Sequence, residues 1–211
     1  MKILRSTIFI ILISVATFSC ADDLVVTDGR SYQVYSDDIR KEKLSDVRLT
    51  VLGITIGKHT LADVQNIMGP AVRLQRGEQQ PYQLCYVSKS GNDKTAVIFE
   101  AGPLGSWEKI TAISLFSDKS QYHDYMQCTK SSKISKNVTT GDGLGLSINQ
   151  AGLKERLGQP SKEENGNIIY VYEVTEQDSK TKNDWIIYST VEAIFRKNNM
   201  NVLSITKTIS G

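Results

Sequence analysis

Three cysteines, two histidines and one glycine-rich loop are the parts of this 211-residue chain with the means for chemistry. A cysteine nucleophile needs a free thiolate with a base beside it. Neither Cys85 nor Cys128 stands in a local nucleophile signature, and His59 and His123 lie far apart, without the paired cysteine or carboxylate spacing of a zinc site. GDGLG at 141–145 has the glycines of a phosphate-cradling loop, yet no strand pattern runs directly into it and the basic residue of a P-loop is missing. What remains for it is a flexible lead into the segment that follows. The adjacent acids Asp37-Asp38 and Glu163-Glu164 project in different directions on regular structure, which suits solvated charge rather than acid/base work. The expectation is therefore a non-enzymatic protein with no catalytic residue, no metal and no cofactor.

Cys20 belongs to a different kind of chemistry. MKILRSTIFIILISVATFSCADD places Lys2 and Arg5 ahead of an apolar run at 8–18 and small residues before two acids, the layout of an export signal. Two processing readings fit. Ser19 and Ala21 make an A-x-A-like site ahead of Asp22, and Thr-Phe-Ser-Cys at 17–20 makes a loose bacterial lipobox in which Cys20 is acylated. Either one removes Cys20 from the free thiols. Cys85 and Cys128 are then an even pair in an oxidising compartment, and one disulfide is expected between them. In the chain-entropy account, closing that loop contributes about 4 kcal/mol.

The chain carries 25 Lys plus Arg against 23 Asp plus Glu, and loss of Lys2 and Arg5 with the leader makes the mature protein neutral. Mixed-sign clusters such as Arg40-Lys41-Glu42-Lys43 read as solvated surface. Nucleic-acid binding is not expected, and membrane association only through an anchor at Cys20.

The aromatic residues are the better functional candidates. Tyr82 and Tyr86 fall on one face of a strand pattern, Tyr170 and Tyr172 do the same, and Trp185 and Tyr188 flank a polar hairpin. These six are the candidates for binding a protein partner, because tyrosine and tryptophan offer large rigid area with a polar tip. The alternative is that one sheet face packs on a helix and these rings are core.

The elements that must carry them occur twice in order. LGITIGKHTLADVQNIMGP (52–70) is restated as LGLSINQAGLKERLGQP (144–160). In the first, Thr60 caps a helix with Asp63 in capping-box position, Leu61, Val64 and Met68 make the apolar stripe, and Gly69-Pro70 stops it. In the second, Asn149 is the cap, Leu153 and Leu157 the stripe, and Gly158 with Pro160 the stop; Gly152 weakens this helix. Strand patterns follow each: PYQLCYVS, TAVIFEA and ITAISLF, then NIIYVYEV, IIYSTVEAIFRK and NVLSITKT. The predicted organisation is a signal at 1–21, an N-terminal segment at 22–50, a first repeat at 51–117, a connection at 118–142 and a second repeat at 143–211. The predicted fold is α+β, with two tandem repeats, each a helix packed on a three- to four-stranded antiparallel sheet.

Thr60, Val64 and Met68-Gly69 followed by tyrosine-bearing strands resemble the domain of the small outer-membrane assembly lipoproteins. The second half carries its own version in Gly145-Leu146-Ser147 and Leu157-Gly158-Gln159-Pro160. The tandem layout also resembles the β-lactamase inhibitor protein family. These resemblances imply an exported periplasmic or outer-membrane protein that binds another protein through a sheet surface, either inhibitor-like or as an envelope scaffold. A lipid-anchored outer-membrane assembly or integrity factor is the first alternative, and an enzyme with an unrecognised site is the second.

Overall fold

The computed structural model describes residues 22–27, 30–35, 38–75, 81–102, 108–122, 125–177 and 182–210. The export signal, Cys20, His123 and the hairpin tip at 178–181 lie outside the described residues. Strands form where β-branched and aromatic residues are dense. β1 (Asp22–Thr27) and β2 (Arg30–Tyr35) make a two-stranded hairpin, and β3 (Thr50–Val51) pairs with β4 (Ile54–Thr55). The remaining strands share one sheet. They are β5 (Arg73–Leu74), β6 (Tyr82–Ser88), β7 (Ala96–Ala101), β8 (Ile110–Phe116), β9 (Thr129–Ser131), β10 (Lys162–Glu164), β11 (Asn167–Gln177), β12 (Asp184–Arg196) and β13 (Asn199–Ser210). Their lateral order is β10-β11-β12-β13-β8-β7-β6-β5, antiparallel throughout, with β9 running parallel along β6.

This corrects the expected fold class. The molecule is not two tandem helix-on-sheet repeats but a mostly β structure built on a single nine-stranded sheet. Residues 202–206 of β13 pair with 112–116 of β8, and Ser114 and Ser204 join hydroxyls 2.8 Å apart across that seam. One buried cluster runs beneath the whole sheet, from Leu84 and Phe99 on one side to Tyr170 and Val191 on the other. The physical reason is the edges. Two separate small sheets would leave a row of backbone donors and acceptors open on both β8 and β13, and pairing them satisfies that row and merges two thin cores into one.

Two eight-residue helices, α1 (Leu61–Met68) and α2 (Gln150–Leu157), contribute to this same core. Thr60 Oγ1 accepts from the Asp63 amide while Asp63 Oδ2 accepts from the Thr60 amide, a closed capping box. The Thr60 amide and hydroxyl, both donating to Asp63 Oδ2, hold that carboxyl below the usual carboxylate range. Leu61, Val64 and Met68 are the buried stripe of α1. Asn149 Oδ1 caps α2 by accepting from the Gly152 amide at 2.8 Å, and Leu153 and Leu157 are its buried residues.

The outermost long strands, β6 and β11, are flanked by short pieces from elsewhere in the chain. β6 receives β5 on its first residues and β9 on its last. β11 receives β10, then a parallel bridge from Arg40, whose amide donates to Val171 O and whose carbonyl accepts from Glu173 N. Such short additions shorten the open edges of β6 and β11.

Candidate functional site

Strand alternation divides the sheet into two faces. On β6 and β7, Leu84, Tyr86, Val97 and Phe99 join the helix-side core, while Cys85, Val87, Ala96 and Ile98 belong to a second cluster on the opposite face. On β11, Ile168, Tyr170 and Tyr172 point to the helix side, and Ile169 and Val171 to the other.

Three of the six aromatic candidates are thereby core residues. Tyr86 and Tyr170 are fully buried and Tyr172 is 2% exposed. Tyr86 packs edge-on to Phe99 and donates its hydroxyl to the carbonyl of Gly69, the residue that ends α1. Tyr170 does the same for the carbonyl of Gly158, the residue that ends α2. Each ring answers one of the carbonyls that a helix terminus leaves without an intrahelical partner. Burial pushes the phenol of Tyr86 up to about 12, and burial together with the neighbouring Tyr172 does the same to Tyr170. Arg40 lies with its guanidinium carbon 5.4 Å from both the Tyr170 and the Tyr172 ring centres, and its Nη2 donates to Gln159 O at 2.7 Å. This placement is that of the core alternative for these three rings: the helices cover the side of the sheet on which they stand.

Tyr82, Trp185 and Tyr188 are half-buried. Tyr82 lies at the start of β6 with the Arg73 guanidinium 5.3 Å from its ring centre. Tyr188 stands on the opposite face, against the cluster of Ile39, Ile169 and Val171. Trp185 sits where the sheet projects. β13 meets β8 only through residue 206, so the ends of β11, β12 and β13 continue as a three-stranded extension. In register across it run Val174, Ile187 and Ile209, with Trp185 opposite Glu176 on the same face. Ile186 and Ile209 are 37% and 45% exposed. Lys43 and Lys41 reach the flank of this extension through ion pairs to Glu176 and Glu173 at 2.6 and 2.8 Å.

The face without helices carries a strap. Cys85 and Cys128 form a disulfide, with Cα atoms 4.7 Å apart, and it ties the chain after β8 back onto β6. Tyr122, 5% exposed, packs its ring against Phe116 and donates its hydroxyl to Gln83 Oε1 at 2.6 Å, and Gln83 Nε2 donates in turn to Glu100. Beside the strap lies a cavity of about 410 Å³ whose floor is Ile98, Ser114, Phe116, Ile194 and Val202, residues drawn from both sides of the β8–β13 seam. Its rim holds the side-chain amides of Gln83, Gln121, Asn165, Asn167 and Asn201. Two irregularities of the sheet border it. Asn201 is the extra residue of a bulge between Ile194–Val202 and Phe195–Met200, and Thr111 is the extra residue of a second bulge beside Glu100. A bulge bends its strand and re-aims side chains. Asn165 with Gly166 forms a two-residue hairpin turn, both at positive φ, that sets Asn167 at the start of β11.

None of the rim amides was a sequence-level candidate. They come from β6, the strap, a turn, β11 and a bulge, and only Asn165-Gly166 carries a local signal, that of a turn. The glycine-rich loop is structural: the amides of Gly141 and Gly143 and that of Leu144 donate to Val47, Thr50 and Thr140, and Asp142 pairs with Arg48 at 2.6 Å. A side chain at Gly141 would meet the Val47 carbonyl oxygen at 2.8 Å, so glycine is required there by close packing. His59 Nδ1 accepts from the Thr55 amide in the loop ahead of α1. Among the described residues no helix is long and apolar enough to cross a membrane. No family model, no curated protein and no solved structure matches this chain.

Proposed function

We propose that this chain is an exported, non-enzymatic protein-binding module that holds its partner on the projecting end of the sheet. The observation that carries the reading is the extension of β11, β12 and β13 past β8, which presents Trp185 and Ile209 over an apolar base of Val174 and Ile187. Rigid strands present these side chains with little conformational entropy left to lose, and an aromatic anchor over aliphatic residues has the character of a binding hot spot. Mature protein is immobilised, and partners are captured from its own cell envelope after mild crosslinking. Trp185→Ala and Ile209→Asp each lower capture of the same partner by about 30-fold, the size of one hot-spot residue. Wild-type capture by both variants overturns this reading.

A second reading, a lipid-anchored outer-membrane assembly or integrity factor, is favoured by Thr-Phe-Ser-Cys at 17–20. Changing Cys20 to Ala then releases the protein from the membrane fraction. Unchanged fractionation excludes the anchor.

A further inference from the structure

The two flanks of the projecting end of the sheet are finished differently. On the β11 flank, Arg40 bridges to Tyr172, and Lys41 and Lys43 reach across to Glu173 and Glu176, the kind of charged cover that blunts an edge. On the β13 flank, residues 207–210 pair with 186–189 of β12 on one side, while the pairing with β8 stops at Thr206. β8 goes no further, because it begins at Ile110, whose N–H donates to His59 O and whose carbonyl accepts from Gly57 N. Among the described residues, no main-chain bond reaches 207–210 from the β8 side.

The register says which groups are left open. Asn201 O accepts from Ser117 N at 2.9 Å, and the ladder runs without a break from Val202–Phe116 to Thr206–Ala112. In an antiparallel pair every second residue turns its N–H and C=O toward the neighbour, so the odd-numbered residues of β13 face β8. Lys207 and Ile209 continue that set, each with an N–H and a C=O in the plane of the sheet and no strand beside them. What such an edge recognises is another extended main chain.

Two side chains select what that chain carries. Leu203 and Ile205 point to the helix side, so Lys207 and Ile209 stand on that side too, and Ile209 is 45% exposed. Lys207 makes no ion pair among the described residues. Asp46, on which its charge acts, is already bonded to Lys58 Nζ at 2.7 Å, so one carboxylate faces two ammonium groups and a positive charge is left over.

We infer that the partner adds an extended segment to this free flank of β13, antiparallel to it and in line with β8, with an apolar side chain over Ile209 and, two residues later, a carboxylate beside Lys207. The direction is that of β8, whose line the segment prolongs. This rests on the reading of the projecting end as the partner site and states how the partner is held there.

The test titrates the disulfide-intact mature protein with the capped peptide acetyl-Val-Thr-Ile-Thr-Glu-Thr-amide, following the backbone amide resonances of Lys207 and Ile209 by NMR. Saturable shifts of both are expected. N-methylation of the peptide isoleucine, whose N–H faces β13, weakens binding about tenfold, whereas N-methylation of the threonine after it, whose N–H faces away, leaves binding nearly unchanged. Lys207→Glu reverses the preference, taking the peptide with lysine in place of glutamate about threefold more tightly than the original. Ile209→Pro deletes an edge donor that β12 does not use and weakens the peptide about tenfold. Absence of saturation overturns the inference, as does equal loss from the two N-methylated peptides. A dimer in sedimentation velocity without peptide, dispersed by Ile209→Pro, overturns it in favour of a second copy of this chain on the edge. The peptide reads the edge alone, and partner capture reads the face. Capture that falls with Trp185→Ala while the peptide fails to bind overturns strand addition and leaves the partner site standing. Peptide binding with wild-type capture in Trp185→Ala and Ile209→Asp overturns the partner site and leaves the edge as an acceptor of strands.

Discussion

Tyr86 and Tyr122 both stand on the first half of the sheet region, each buried, each donating a phenol hydroxyl at 2.6 Å, but on opposite faces and to different kinds of acceptor. Tyr86, like Tyr170, gives its proton to a main-chain carbonyl at the end of a helix. The bond locks helix to sheet. Tyr122 gives its proton to the side-chain amide of Gln83, which passes its own on to Glu100 at the edge of a cavity. One face spends its polar groups on holding elements together, and the other arrays them around a space. The same residue type docks a helix where its partner is backbone and shapes a cavity wall where its partner is a side chain.

That contrast can be broken most directly on the helix face. Tyr86→Ala and Tyr170→Ala each remove a fully buried ring and should cost about 3–5 kcal/mol, read as a lowered urea midpoint. A loss under about 1 kcal/mol for either would place the ring outside the shared core. On the opposite face, removing the Cys85–Cys128 disulfide as the paired serine variant should cost about 2–5 kcal/mol. The comparison is sharpened by hydroxyl deletions. Tyr86→Phe leaves the half-buried Gly69 carbonyl at the end of α1 without its donor and costs about 1–3 kcal/mol. Tyr122→Phe costs nearer 1 kcal/mol, because Gln83 borders the cavity and can be rehydrated there; equal losses would erase the distinction drawn here. The last effect is confined to high pH. The Tyr86 and Tyr170 phenols are pushed up to about 12 from their ordinary 10, so the native state retains protons that the unfolded chain gives up. Stability is full below pH 10 and falls as pH rises from there through 12, and absorbance titration should show Tyr86, Tyr170 and Tyr172, which burial also pushes up, ionising late.

Much of the local structure was legible. The Thr60 and Asp63 pair, the Leu61, Val64 and Met68 spacing and Gly69-Pro70 define α1 because capping and helical periodicity act over one or two turns. Six longer strands were visible in their β-branched and aromatic runs, and the disulfide in the count of cysteines. Alternation also placed Tyr82 with Tyr86 and Tyr170 with Tyr172 on common faces. Which face the helices cover is a tertiary fact, and no spacing within β6 or β11 states it. The union of β8 with β13 joins residues about ninety positions apart, and both strands are apolar enough on either side to look like members of separate small sheets. The edge strands β5, β9 and β10 are two or three residues long, too short for any period to register. The cavity was invisible for a similar reason: its amides converge from five places, one of them through a bulge that only pairing creates.

The place of β13 in the lateral order has a consequence for how the molecule comes into being. It is the last strand of the described chain and yet lies in the middle of the sheet, between β12 and β8. A nascent chain emerging from its N-terminus at roughly 5–20 residues per second therefore holds β6, β7 and β8 ready for seconds with one flank waiting. The bridge from Arg40 to Tyr172 waits as well. Assembly is thus deferred until β13 has emerged, at which point the keystone strand closes both halves at once. Such a chain stays threadable until that strand is made, and a premature stop just short of β13 yields two unsealed flanks instead of a smaller protein.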